Sequence, residues 1–290
     1  MQEMHLRESV AIIDLPGNHV QIGTANGASI TVSNLDPAEK RWLQNLKAGG
    51  NRGHLTKRRN QLWNALRTAG LLEESTQSRI SVRVSGLGRV GVTLTKALAL
   101  DGIGHIDVRD GRPIAADVEA LYDPDMKGVP RDQAMRAWLK AQGTRYFRSA
   151  QPHLAVTIEN RVIDWGRAAD LLYADIPHLP IIVDDLEITI GPLSIPGITP
   201  CFHCIEAERT DVVPNWPAIR EQLSAHPFPE PAYSLASAAA GLAAWLTLRL
   251  SQEGPPDTDW FMGIAWTVSP TGVQVTKWRI RDTCGCQDQR

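Results

Sequence analysis

Four cysteines stand in two close pairs, Cys201-x-x-Cys204 and, far downstream, Cys284-x-Cys286. Two chelating pairs with no cysteine left over suit a tetrahedral zinc ion held by four thiolates. Such a closed shell is structural, because a catalytic zinc keeps one position open for water. The metal would pin the CGC segment to a Pro- and Gly-rich stretch, PGITPCFHC, which reads as a loop. The competing reading, four free or redox-active thiols, lacks a thioredoxin-like context. His203, inside the first pair, reads as exposed rather than as a ligand.

A second constellation lies in Ile80–Asp110. Ile80, Val82 and Val84 alternate as in a buried strand, the turn Gly86-Leu87-Gly88-Arg89-Val90-Gly91 follows, and Val92–Leu100 has helix-forming composition. Gly102 and Gly104 break the helix, and Ile106-Asp107-Val108 begins another strand that ends at Asp110. Strand, glycine turn, helix and strand in this order open a doubly wound nucleotide-binding fold. Gly86 and Gly88 permit a tight turn with close backbone approach to phosphate, and Gly91 lets the helix lie on the strand. Asp110 sits where an acid meets a ribose hydroxyl. A glycine turn kept for packing alone is the competing reading, and Arg89 inside the loop keeps it open.

These elements must be carried by the rest of the chain. Its 290 residues allow one large domain or two smaller ones, and a net charge of −2 predicts no general affinity for nucleic acid or membrane. The N-terminus lacks the basic start and apolar run of a signal peptide, and Pro231–Leu248 is an Ala-, Ser- and Leu-rich buried helix rather than a span. With four cysteines and no secretion signal, a reducing, cytoplasmic setting is expected.

Residues 1–77 form a compositional unit of their own. Val10–Leu15, Val20–Ile22 and Ala28–Val32 read as short strands, the first two joined by Pro16-Gly17-Asn18-His19. A helix capped by Asn34 or Asp36 runs to Leu46, and another spans Thr56–Ala69. Leu71-Leu72 leads to a Glu73–Gln77 linker. This small α+β unit resembles a winged-helix module, a type that binds DNA in some proteins and extended peptides in others. Arg52, His54, Lys57, Arg58 and Arg59 make the second helix basic, but seven acids balance them, so a solvated face is expected rather than a DNA-reading one.

Further along, helices are predicted over Gln133–Lys140, Asp164–Ala174 and Tyr233–Leu250. Strands are predicted over His153–Ile158, Leu179–Asp184, Ile188–Ile190 and Leu193–Ile195. Trp260–Ser269 and Val273–Ile280 form a hairpin. Asp184 and Asp185, at a strand end, are candidates for a metal or nucleotide contact, with solvated turn carboxylates as the competing reading. Trp42, Trp63, Trp245, Trp260, Trp266 and Trp278 read as core or dimer contacts.

The glycine turn followed by GIGHIDVRD, the motifs PHLPIIV and GPLSIPGITPCFHC, and the CGC ending resemble the ThiF/MoeB superfamily, bacterial relatives of ubiquitin-activating enzymes. The resemblance covers residues 78–290 and implies a Rossmann-like α/β domain with a zinc-pinned C-terminus, in a homodimer. Residues 1–77 resemble the peptide-binding module that precedes some members in pathways for ribosomally made, modified peptides. There it holds a leader peptide for a partner enzyme.

Active members adenylate a C-terminal carboxylate with magnesium ATP. Laid on their pattern, this sequence keeps Gly86, Gly88, Gly91 and Asp110. The second acid of the pattern falls on Arg112. The Asn and Arg of its Ser-Asn-Leu-x-Arg-Gln segment are missing at Asp117–Tyr122, its Lys falls on Arg131, and its late Asp has only Glu159-Asn160 nearby. Losing a magnesium acid and an arginine removes transition-state stabilisation. With all four cysteines on zinc, no thiol remains for thioester transfer. Two readings follow. One is a ThiF-like scaffold that binds a peptide or small protein, with little or no adenylation. The other is an ATP-dependent adenylyltransferase that uses Arg131 and Arg112 in an altered site.

Overall fold

The computed structural model describes residues 4–26, 28–50, 53–74, 78–146, 151–253 and 262–287. The chain divides into two compact units, Met1–Gln77 and Ser78–Arg290.

The first unit contains β1 (Met4–Leu6), β2 (Ile12–Leu15), β3 (His19–Ala25), β4 (Ala28–Ser33), α1 (Pro37–Lys47), α2 (Lys57–Thr68) and β5 (Leu72–Glu74). Strands β2, β3 and β4 form an antiparallel sheet in that order, and β1 pairs with β5. Asp36 closes a capping box with Glu39 at the start of α1, and Thr56 caps α2, so both helices begin where a side-chain oxygen replaces a missing carbonyl. Leu43, Leu46 and Leu66 meet Val20, Ile22 and Leu6 in one buried cluster. Trp42 and Trp63 join it.

The pairing of β1 with β5 is a correction, since Leu71-Leu72 was expected to lead into a Glu73–Gln77 linker, whereas Glu73 and Glu74 lie in a strand; Ser75–Gln77 and Arg52 lie outside the described residues. Two arginines of the basic cluster at the start of α2 have internal partners. Arg58 donates to the carbonyls of Ser33 and Asn34, and Arg59 donates to Ala38 and lies over the Trp42 ring.

The second unit contains β6 (Ser78–Ser85), α3 (Arg89–Leu100), β7 (Ile103–Arg109), α4 (Arg131–Ala141), β8 (Arg145–Tyr146), β9 (Leu154–Asn160), α5 (Trp165–Tyr173), β10 (His178–Val183), β11 (Ile188–Ile190), α6 (Phe202–Val212), α7 (Trp216–Ala225), α8 (Tyr233–Glu253), β12 (Ile264–Ser269) and β13 (Gly272–Lys277). Its eight-stranded sheet has the order β13-β12-β11-β10-β9-β6-β7-β8. The five strands from β10 to β8 are parallel, and β11, β12 and β13 add antiparallel. Both β9 and β10 are almost wholly buried, as their unbroken apolar runs require for a sheet covered on two faces.

Ile181 belongs to the core shared with α3 and α8, whereas Ile182 packs with α5 and α6, so the two-residue strand period feeds two cores. Small side chains on α8, including Ala236, Ala239, Ala240 and Ala243, are fully or nearly fully buried. No helix among the described residues is long and apolar enough to cross a membrane. Leu193–Ile195 forms no strand: only Ser194 makes an isolated bridge, to His178. Trp245 is half exposed, and Trp260 lies outside the described residues.

Candidate functional site

The four cysteines converge, with all Sγ atoms within 4.8 Å of one another. Cys201 and Cys284 are 3.6 Å apart, Cys204 and Cys286 3.7 Å, and Cys201 and Cys204 4.0 Å. A tetrahedron of thiolates about 2.3 Å from a central ion has edges of about 3.8 Å, so the set fits a bound metal. No other group of three or more metal-type side chains comes together among the described residues.

Local structure explains the clustering. Cys201 caps α6 and Cys204 lies in its first turn, so CFHC starts a helix where only a loop was expected. Thiolates there meet the positive end of the helix dipole. The Arg281 N–H donates to Cys204 Sγ at 3.5 Å. Burial pushes the Cys201 thiol far up and Cys286 up to about 11. A metal ion relieves that cost by displacing the protons. His203 is exposed and lies against Phe202.

The second site is a crevice of about 940 Å3 at the C-terminal ends of β6, β7 and β9. From β6 the chain passes to β7 on one side and later returns to β9 on the other. That reversal opens the sheet between adjacent connections, the place where such sheets bind ligands. Gly86 lines the crevice with φ +96°, and its N–H donates to the Arg109 carbonyl. A Cβ on Gly91 would lie 1.8 Å from the Gly86 oxygen, so the third glycine is demanded by packing inside the turn. A Cβ on Gly88 would meet nothing within 4 Å. Neither Gly88 nor Gly91 lines the crevice.

Asp110 is at the crevice wall, but its carboxylate is fully engaged. It accepts from the Leu87 N–H at 2.7 Å, from Arg112 N–H at 3.1 Å, and from Arg112 Nε and Nη2 at 2.9 and 2.8 Å. Burial alone would raise its pKa, yet the Arg112 guanidinium and the two N–H donors outweigh burial and hold it below the usual carboxylate range. Arg131 does not reach the crevice. Its guanidinium is buried, donating to Asp117 at 2.6 Å and to the Pro113 carbonyl at 3.1 Å. Arg89 turns to the carbonyls of Asp117 and Pro231 and lies 4.2 Å over the Tyr233 ring.

The wall also carries arginines that the sequence reading did not single out: Arg109, Arg136, Arg167 and Arg220. Arg109 is bound to Asp107, Arg136 to Asp132 and Arg167 to Glu159. Burial raises the Glu159 pKa against the pull of Arg167. Arg109 at a strand end and Arg167 in the first turn of a helix were the available signals; α7, which supplies Arg220, has apolar residues at helical spacing, Trp216, Ile219 and Leu223, but buries none of its residues. Asp184 and Asp185 are both tied to Arg161 and form no metal group.

No family model matches the sequence, and no curated protein matches it. Solved structures do. The fold is shared with MccB. The structure of Microcin C7 biosynthetic enzyme MccB in complex with N-formylated MccA superposes with a TM-score of 0.65 at 14% identity, covering 98% of this chain and 99% of that one. E. coli MccB with ATP gives 0.66 at 13% identity, covering 98% and 99%. PaaA gives 0.61 at 15% identity, covering 94% and 100%. The likeness to MccB and PaaA shows a shared fold over nearly the whole of this chain.

Proposed function

We propose that this chain is a ThiF-like binding protein that holds a peptide or small protein, of the leader-peptide type, with little or no adenylation. The observation that carries the proposal is the closed Asp110–Arg112 pair. An acid that receives a ribose or joins a metal must offer a free oxygen, and both oxygens of Asp110 are taken. Arg112 also brings positive charge to the position that the resemblance gives to a magnesium acid. The residues therefore do not fit magnesium ATP in the manner of active members. Support for a peptide partner comes from a fold shared over nearly its whole length with a protein solved with MccA.

In this reading residues 1–77 are a winged-helix-like peptide module, the protein works as a homodimer beside a partner enzyme, and zinc on the four cysteines is structural. The ATP-dependent adenylyltransferase reading is favoured by one observation, the large crevice at the reversal point of the sheet, in a fold shared with a protein solved with ATP.

Selection of peptides from a random display library on the full chain, followed by crosslinking, tests the proposal. Saturable binding without ATP, with crosslinks inside residues 1–77, is the expected result. Selected peptides that bind only with ATP and drive pyrophosphate exchange would replace the proposal with the enzyme reading.

A further inference from the structure

A cavity of about 260 Å3 lies between α3, α4 and the short helical turns Glu119–Leu121 and Pro124–Met126. It shares no lining residue with the crevice, so its occupant does not depend on how the crevice is used. Leu121, Met126, Trp138 and the small side chains of Ala137 and Ala141 make most of its wall apolar. One cation joins them. Lys96 of α3 is half-buried there; its Nζ donates to the Leu121 carbonyl at 2.6 Å and lies 5.5 Å from the centroid of the Trp138 ring.

A carbonyl and a ring offer an ammonium only partial charge, and they leave two of its three N–H donors for other partners. No acid pairs with Lys96 among the described residues. Burial lowers its pKa, and no neighbouring charge acts against that. Asp123, on the same wall, is exposed, and its carboxylate accepts from the Asp125 N–H instead. Charges removed from water are ordinarily paired, so what this cavity lacks is one negative group. The wall restricts the rest of the ligand. Its volume suits one ring with a short arm, and its apolar side chains favour hydrocarbon over a buried amide.

We infer that this cavity binds a small free monocarboxylic acid with an apolar body, whose carboxylate pairs with Lys96 while its body lies among Met126, Ala137 and Ala141. A single cation suits a single negative charge, and a charge-assisted hydrogen bond from Nζ to a carboxylate is stronger than the bond it makes to a carbonyl.

The test uses phenylacetate, with phenylacetamide as its neutral counterpart of the same shape and N-acetylphenylalanine as a mimic of a peptide's C-terminal end. Each is titrated into the full-length, metal-loaded protein, with the indole N–H resonance of Trp138 as the reporter. Phenylacetate should shift it saturably, and the other two should bind roughly tenfold more weakly or worse. Lys96→Met keeps the unbranched stem without the charge and should bring phenylacetate down to the level of phenylacetamide. Ala137 is exposed, so Ala137→Phe fills the cavity from outside the core; it should abolish the shift with melting unchanged. The inference is overturned if phenylacetamide binds as well as phenylacetate, or if both variants bind phenylacetate like the parent. N-acetylphenylalanine binding as tightly as phenylacetate would replace the free acid with a chain end. No saturable shift with any probe would leave Lys96 to water and overturn the inference equally.

Discussion

The cysteine cluster and the glycine-turn crevice differ in what their functional groups have left to give. In the cluster, four sulfurs lie within 4.8 Å of one another, with the Arg281 N–H donating to one of them. Their bonding capacity points inward to a common centre. At the crevice, the acid expected to meet a nucleotide is engaged by the chain itself, Asp110 by Arg112, and Arg131, placed outside the crevice, is paired with Asp117. A ligand that calls on Asp110 must displace Arg112, whereas a metal in the cluster displaces only protons.

Breaking the cluster should have the largest effect. Cys201→Ser or Cys286→Ser should release the metal and lower the melting temperature by on the order of 10 °C, because metal binding and folding are linked. Metal analysis and calorimetry of both variants check this, and unchanged values in both would contradict it. Next comes the turn: Gly91→Ala places a Cβ 1.8 Å from the Gly86 oxygen. Denaturant unfolding should show a loss of about 3 kcal/mol. Gly88→Ala, with nothing within 4 Å of the added atom, should cost less than about 1 kcal/mol in the same assay.

Arg112→Ala sharpens the comparison, since it frees the Asp110 carboxylate in place. Half of the Arg112 side chain is exposed, so stability should fall by only about 1 kcal/mol. Magnesium-dependent nucleotide binding should become stronger than in the parent, as equilibrium dialysis would show.

The smallest effect is a pH dependence. The pKa of Asp110 is depressed in the folded state, so its contribution to stability is present above the unfolded value, near 4. It is lost as pH falls from there through the folded value. Asp110→Asn should be less stable than the parent at pH 7, and the gap should narrow below about pH 4 in denaturant titrations.

Much of this frame was legible because it rests on local chemistry. Asp36, Thr56 and Asp164 each cap a helix as their types predict. Alternating or continuous apolar runs marked β6, β9 and β10, and the cysteine pairs named their own cluster. What was hidden depends on partners far apart or on surfaces without a pattern. Met4–Leu6 and Leu72–Glu74 are too short to signal a strand alone and become strands only by pairing with each other. The exposed helix α7 carries no buried stripe, which also hid Arg220. The substitution at Arg112 was visible in the sequence, but its bidentate grip on Asp110 is a matter of side-chain geometry.

The most direct test of the central claim is calorimetric titration of magnesium ATP into the metal-loaded, full-length protein, with Asp110→Ala in parallel and equilibrium dialysis as a second assay. The closed Asp110–Arg112 pair predicts no saturable binding at micromolar nucleotide, with parent and variant alike. Micromolar binding that Asp110→Ala abolishes would contradict the account and identify a working nucleotide site.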